Sequence, residues 1–157
     1  MQDDTVRAET ATELEALYRE QGSRLWRSLY LFTGDPDVAS DAASEAFVQA
    51  LARGDRITSP ERWVWKAAFK IAAGEMKDRG RRRPLAEADT PVPEPVAELA
   101  QALSTLSKKQ RTCVILHHIA GYSYEEIASI LGSSASTVGV HVHRARNKLA
   151  EILEVER

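Results

Sequence analysis

From Glu13 to Leu31 the apolar residues Leu14, Leu17, Tyr18, Leu25 and Leu29, with Phe32 just beyond, recur at the spacing of one helix face, and Gly34 ends the pattern. Asp35-Pro36 offers a side-chain acceptor for free helix-start amides, then a ring that fixes a helical φ. It predicts a second helix carrying Val38, Ala42, Ala46, Phe47, Ala50 and Leu51 up to Gly54. Ser59-Pro60 repeats that start signal and opens a long helix with Trp63, Val64, Ala67, Ala68, Ile71 and Ala72, which runs into Arg79, Arg81, Arg82 and Arg83. Pro84, Pro91, Pro93 and Pro95, set among acidic residues, cannot continue a helix and predict an extended, flexible linker over residues 84–97. Beyond it Leu99, Leu103 and Leu106 begin a second helical unit, and Gln110, Val114, Ile115 and Ile119 mark a helix that ends at Gly121. Strand-type alternation is absent. The expected fold is therefore all-α: two small helical domains, residues 1–83 and 98–157, joined by the flexible linker, each small for independent stability.

The last third of the chain carries the most specific pattern. Ser123 with Glu126 three positions later forms a capping box, and Ile127, Ala128 and Leu131 are the expected buried face of the helix it starts. Gly132 permits a left-handed turn, Ser134 can cap the next helix, and Val138, Val142, Ala145, Leu149 and Ile152 make that helix's apolar stripe. This is a helix-turn-helix, in which Ala128 is small enough to let the two helices cross closely. If the second helix enters the major groove, Ser136, Thr137, Gly139, Val140, His143, Arg144 and Asn147 are candidate outward contacts, and Arg144, Arg146 and Lys148 reach phosphates. A plain helical hairpin with a solvated basic end is the bland alternative.

Composition changes this picture little, but the distribution of charge adds to it. With 43% apolar and 28% charged residues in 157, the chain is ordinary globular material, and a net charge of −2 argues against indiscriminate coating of nucleic acid. Yet Lys66, Lys70, Lys77, Arg79, Arg81, Arg82 and Arg83 crowd one helix. Glu87, Asp89, Glu94 and Glu98 follow, with no basic residue between Pro84 and Glu98. Lysines and arginines with Trp63 and Trp65 nearby suit a single strand of nucleic acid, whose phosphates need cations and whose bases stack on aromatic rings. Tryptophans two apart face different sides of a helix, so one of the pair is expected in the core. The lone Cys113 has no disulfide partner, the N-terminus lacks an apolar leader, and no apolar run approaches the roughly 18 residues a membrane span needs. A reduced, cytoplasmic protein without membrane insertion is expected.

At this point the chain begins to look like a known family. Leu106-Ser-Lys-Lys-Gln-Arg, Gly121-Tyr-Ser-Tyr-Glu-Glu-Ile-Ala, Leu131-Gly-Ser-Ser, Thr137-Val and His143-Arg-Ala-Arg-Asn-Lys-Leu together resemble the C-terminal domain of bacterial extracytoplasmic-function (ECF) sigma factors. The stretch from Asp35 to Phe47 looks like that family's polymerase-binding helix. Trp63 to Ala73 with the arginines looks like its promoter-melting helix. The resemblance implies a sigma factor that binds core RNA polymerase, with Asp41, Ser44 and Glu45 as polymerase contacts. Trp63, Trp65, Lys66, Lys70, Lys77, Arg79, Arg81 and Arg82 would meet melted promoter DNA, while Ser136, Thr137, Gly139, Val140, His143, Arg144, Arg146, Asn147 and Lys148 read the upstream element. It also implies an anti-sigma partner. Ser44 stands where the family usually has glutamine, and Gly139 and His141 where it usually has basic residues, which implies weaker phosphate contact.

Other chemistries find less support. His117, His118, His141 and His143 lie too close along their helices to converge, and no cysteine or carboxylate completes a metal set. Neither a catalytic arrangement nor a glycine-rich phosphate loop is present, so a binding protein without metal or cofactor is expected rather than an enzyme. Two rivals remain open: a helix-turn-helix regulator that binds DNA alone as a dimer, and a helical adaptor that titrates another protein.

Overall fold

The computed structural model describes residues 2–79 and 93–155, and every regular element among them is helical. The elements are α1 (Gln2–Thr33), α2 (Pro36–Arg53), a 3-10 turn (Gly54–Arg56), α3 (Pro60–Arg79), α4 (Glu94–Leu103), α5 (Lys108–His118), α6 (Tyr124–Leu131) and α7 (Ala135–Val155). Arg81, Arg82, Arg83 and residues 84–92 of the expected linker lie outside the described residues.

Helices α1, α2 and α3 pack on one another around Leu25, Leu29, Phe32, Val38, Ala42, Ala46, Val64 and Trp65. The first of the two start signals read from sequence acts as expected: the Asp35 carboxylate accepts from Asp37 N (2.9 Å) and Val38 N (3.3 Å). Gly34, at φ 72°, turns the chain between α1 and α2, a backbone state that glycine enters without steric cost. In α1 and α2 two residues counted in the apolar stripes are in fact outside, Tyr18 at 62% and Leu51 at 53% exposed, and Leu99, counted further along the chain, is 43% exposed. α1 also reaches back to Gln2, well before Glu13, through a polar stretch with Asp3 and Asp4 in its first turn, where negative charge suits a helix start.

Helix α4 starts at Glu94, inside the expected linker, because Pro95 occupies the first turn, where a missing N–H costs nothing. α5 begins with a second capping box, Ser107 with Gln110. The two units do not stand apart. α4 and α5 pack on α1, α6 packs on α3, and buried residues of both halves form one continuous cluster. Arg111 of α5 lies over the Phe32 ring at 5.4 Å, one of the contacts across the seam.

Candidate nucleic-acid interface

The local chemistry around Gly132 builds a helix-turn-helix. Ser123 Oγ accepts from Glu126 N (3.1 Å), and Glu126 Oε1 accepts from Ser123 N (3.2 Å), so orphan amides of α6 are satisfied reciprocally. Those bonds, with Arg62 nearby, hold the Glu126 carboxyl below the usual carboxylate range. Gly132 closes α6 in the left-handed region, φ 68° and ψ 42°, and Ala128 O accepts from the amides of Gly132 and Ser133. Ser134 Oγ then accepts from Thr137 N (3.2 Å) at the start of α7. Ile127, Ala128 and Ile130 are buried. Leu131, expected on that face, is 40% exposed because the helix turns Ile130 inward instead.

On α7, Val138, Val142 and Ala145 are fully buried, which fixes the opposite face outward. Ser136, Val140, His143 and Asn147 share that face, with Thr137 and Arg144 on one flank and Arg146 on the other, all exposed. Two expected contacts have other work. Gly139 is half-buried beneath the Tyr124 ring, where an added Cβ would sit 3.3 Å from Tyr124 Cε2, so the glycine serves the close crossing of α6 on α7. Lys148 Nζ donates to Thr105 O (2.7 Å), tying α7 to the turn after α4. Behind the helix, burial and the neighbouring His117 and Arg146 lower the pKa of His118 from its ordinary value.

Helix α3 carries a second basic surface. Lys66, Lys70 and Lys77 are exposed and fall within about 40° of one another around the helix. The tryptophans divide as the helix geometry requires. Trp63 is half-buried on the lysine side, with the Arg53 guanidinium 5.3 Å from its ring centroid. Trp65 is the core member, 1% exposed, its indole N–H donating to Gln21 Oε1 (2.9 Å). In this arrangement Trp65 is not open to a base, contrary to its place among the expected contacts. Arg79 closes α3.

The structure adds basic residues that sequence reasoning did not single out. Two adjoining hollows, about 350 and 420 Å³, share Lys108, Thr112, Leu131 and Gly132. They bring Lys66 and Lys70 of α3 near Lys108 and Lys109 of α5 with no described carboxylate in their walls. Lys108 and Lys109 sit in the first turn of α5, the helix end that repels cations.

A third surface lies on α2, where Asp41, Ser44 and Glu45 are exposed on one face. Val48 (57% exposed) and Leu51 (53%) continue that face, and Tyr18, edge-on to Phe47 with ring centroids 5.3 Å apart, flanks it. The mixture of carboxylates and bare apolar groups is the anatomy of a protein-docking patch. Of the apolar half, Leu51 is expected in the buried stripe by its spacing, and Val48 lies off that stripe.

With these surfaces in place, comparison with known proteins defines the class. The family model for sigma-70, region 4 matches residues 97–149. RNA polymerase sigma-E factor of Streptomyces avermitilis is 31% identical over 154 residues, covering 90% of this chain and 86% of that protein. The ECF RNA polymerase sigma factor SigE of Mycolicibacterium smegmatis is 30% identical over 157 residues, covering 88% of this chain but 61% of the relative's length. Among solved structures, the sigma factor RpoE of Bartonella quintana, in complex with the anti-sigma factor NepR, superposes with a TM-score of 0.72 at 25% identity, covering 91% of this chain and 99% of that one. The chain belongs to the ECF family of RNA polymerase sigma factors, which are transcription initiation factors.

Proposed function

We propose that the chain acts as a promoter-specificity subunit of bacterial RNA polymerase. In this role α2 docks on the core enzyme through Asp41, Ser44, Glu45, Val48 and Leu51. The Lys66, Lys70 and Lys77 stripe of α3, with Trp63, Arg79, Arg81 and Arg82, receives melted promoter DNA. α7 reads the upstream element with Ser136, Thr137, Val140, His143, Arg144, Arg146 and Asn147. The observation that carries the reading is the bare outer face of α7, set behind a left-handed Gly132 turn in a segment that matches sigma region 4.

The rest follows from charge and burial. Arginines on the flanks of α7 meet phosphates, which sets affinity, while Ser136, Val140, His143 and Asn147 face base edges, which sets sequence. The role is stoichiometric binding, with no reaction catalysed by the chain itself, and its site is the cytoplasm. No described helix is long and apolar enough to cross a membrane. A protein inhibitor of the kind seen on the Bartonella quintana relative completes the proposed set of partners. Native mass measurement tests the docking step: one copy per core polymerase is expected, and failure to bind core at micromolar concentration would reject the assignment.

A further inference from the structure

The two adjoining hollows divide their chemistry. The larger is lined by Lys108, Lys109, Ser133, Thr137 and His141, with the buried Val138 also in its wall. Val138 points away from Ser136, Val140 and His143, so this hollow and the outer face of α7 lie on different sides of the helix. Thr137 Oγ1 accepts from Ser134 Oγ (2.8 Å), which leaves the Thr137 O–H free to donate. The smaller hollow is mostly apolar, with Phe69, Ala73, Ile130 and Leu131 in its walls beside Lys66, Lys70 and Lys108. Lys108, Thr112, Leu131 and Gly132 belong to both. All four lysines are exposed, and none has an ion-pair partner among the described residues.

We propose that the paired hollows bind a nucleoside polyphosphate, with its base against Phe69, Ala73, Ile130 and Leu131 and its phosphates on Lys108 and Lys109. At about 350 and 420 Å³ the hollows fall in the range of small-molecule sites, roughly 300–1,000 Å³, whose walls are mainly apolar with a few convergent polar groups. A concave surface lined by one sign of charge focuses its field and concentrates ions of the opposite sign. Lysine ammoniums are compact point charges that suit phosphate, and the Thr137 hydroxyl adds a donor at the same end. The apolar hollow takes a flat ring out of water, which inorganic polyphosphate cannot exploit. A nucleoside polyphosphate gathers its charge at one end and its ring at the other, as the hollows do, whereas a nucleic-acid strand alternates base and singly charged phosphate along its length. The site shares Lys66 and Lys70 with the α3 stripe and leaves the outer face of α7 free.

The test is isothermal titration calorimetry of the full chain with ATP, and with adenosine and inorganic triphosphate as the two halves of that ligand. One ATP per chain is expected, with Kd roughly 10–100 µM and each half at least about ten-fold weaker. The double variant Lys108→Ala with Lys109→Ala should weaken ATP by about ten-fold or more, as the loss of charged phosphate contacts implies. Leu131→Glu changes a side chain that is 40% exposed, so the core is spared, and it sets a carboxylate where the hollows meet. It should abolish ATP binding, with far-UV circular dichroism confirming that both variants are folded. No binding of ATP at about 1 mM overturns the site. So does inorganic triphosphate that binds as tightly as ATP, or folded variants that bind ATP as the wild-type chain does. If a mixed-sequence single-stranded oligonucleotide loses affinity in both variants while ATP does not bind the wild-type chain, the hollows belong to nucleic acid and the proposal falls.

Discussion

Alanine placed at three glycines should give three different answers, because the backbone and the space around each differ. Gly132 has φ 68°, and an added Cβ would meet nothing within 4 Å, so Gly132→Ala introduces backbone strain alone. A left-handed residue with a Cβ costs about 1–2 kcal/mol, offset by about 0.4–1 kcal/mol from the stiffer unfolded chain, which leaves about 1 kcal/mol of destabilisation. Gly74 lies inside α3, exposed, also with nothing within 4 Å, so Gly74→Ala gains about 0.8–1 kcal/mol of helix propensity. For a chain of this size each change moves Tm by about 2–4 °C, downward for Gly132→Ala and upward for Gly74→Ala. Gly139→Ala sets the same propensity gain against a Cβ 3.3 Å from Tyr124 Cε2, so the two nearly cancel. Gly139→Leu overpacks the crossing and costs about 1–3 kcal/mol. Thermal unfolding followed by far-UV circular dichroism reads all four. Shifts of the same sign for Gly132→Ala and Gly74→Ala would refute the assignment of a left-handed turn between α6 and α7.

Removing charge at Arg144 should lower the slope of log affinity against log salt on duplex DNA by about 0.9, the value of one phosphate contact, whereas Lys148→Ala should change the slope less because Lys148 is held by Thr105 O. Equal slope changes would show that Lys148 leaves its intramolecular partner on binding. Leu51→Ser should weaken docking on core polymerase while shifting stability by less than about 0.5 kcal/mol, as expected at an exposed position; a large loss of Tm would place Leu51 in the core instead. Burial pushes the Cys113 thiol up to about 11, so below that pH the group stays protonated in the folded chain. Thiol reagents at pH 8 should leave Cys113 unmodified until denaturant is added, and rapid native labelling would contradict its buried placement.

What could be read from sequence and what could not divide along a physical line. The Asp35 cap, the Ser123–Glu126 box, the Gly132 turn and the Ser134 cap were legible because each is satisfied within a few residues of itself. Ser107 with Gln110 obeys the same capping-box rule and was there to be found. The misplacements concern residues whose fate depends on a distant part of the chain. Helical spacing places Trp63 and Trp65 on different faces, but only the loop bearing Tyr122 decides which is covered. Gly139 lies beneath the Tyr124 ring of α6, and Lys148 meets Thr105, a partner 43 positions away. Tyr18 and Leu51 fit buried stripes by period alone, yet no helix of the described residues covers them. Lys108 and Lys109 join the basic surface only because the fold sets the start of α5 around the same hollows as Lys66 and Lys70.

The central claim is that these surfaces act together on a polymerase. The most direct measurement adds the purified chain to sigma-free bacterial core RNA polymerase on genomic DNA from its own source and maps transcript 5′ ends. Discrete start sites absent with core alone are expected, and they should disappear when Arg144 and Arg146 are both replaced by alanine. A pattern of ends identical to that of core alone, from a chain shown to be folded and bound to core, would contradict the account.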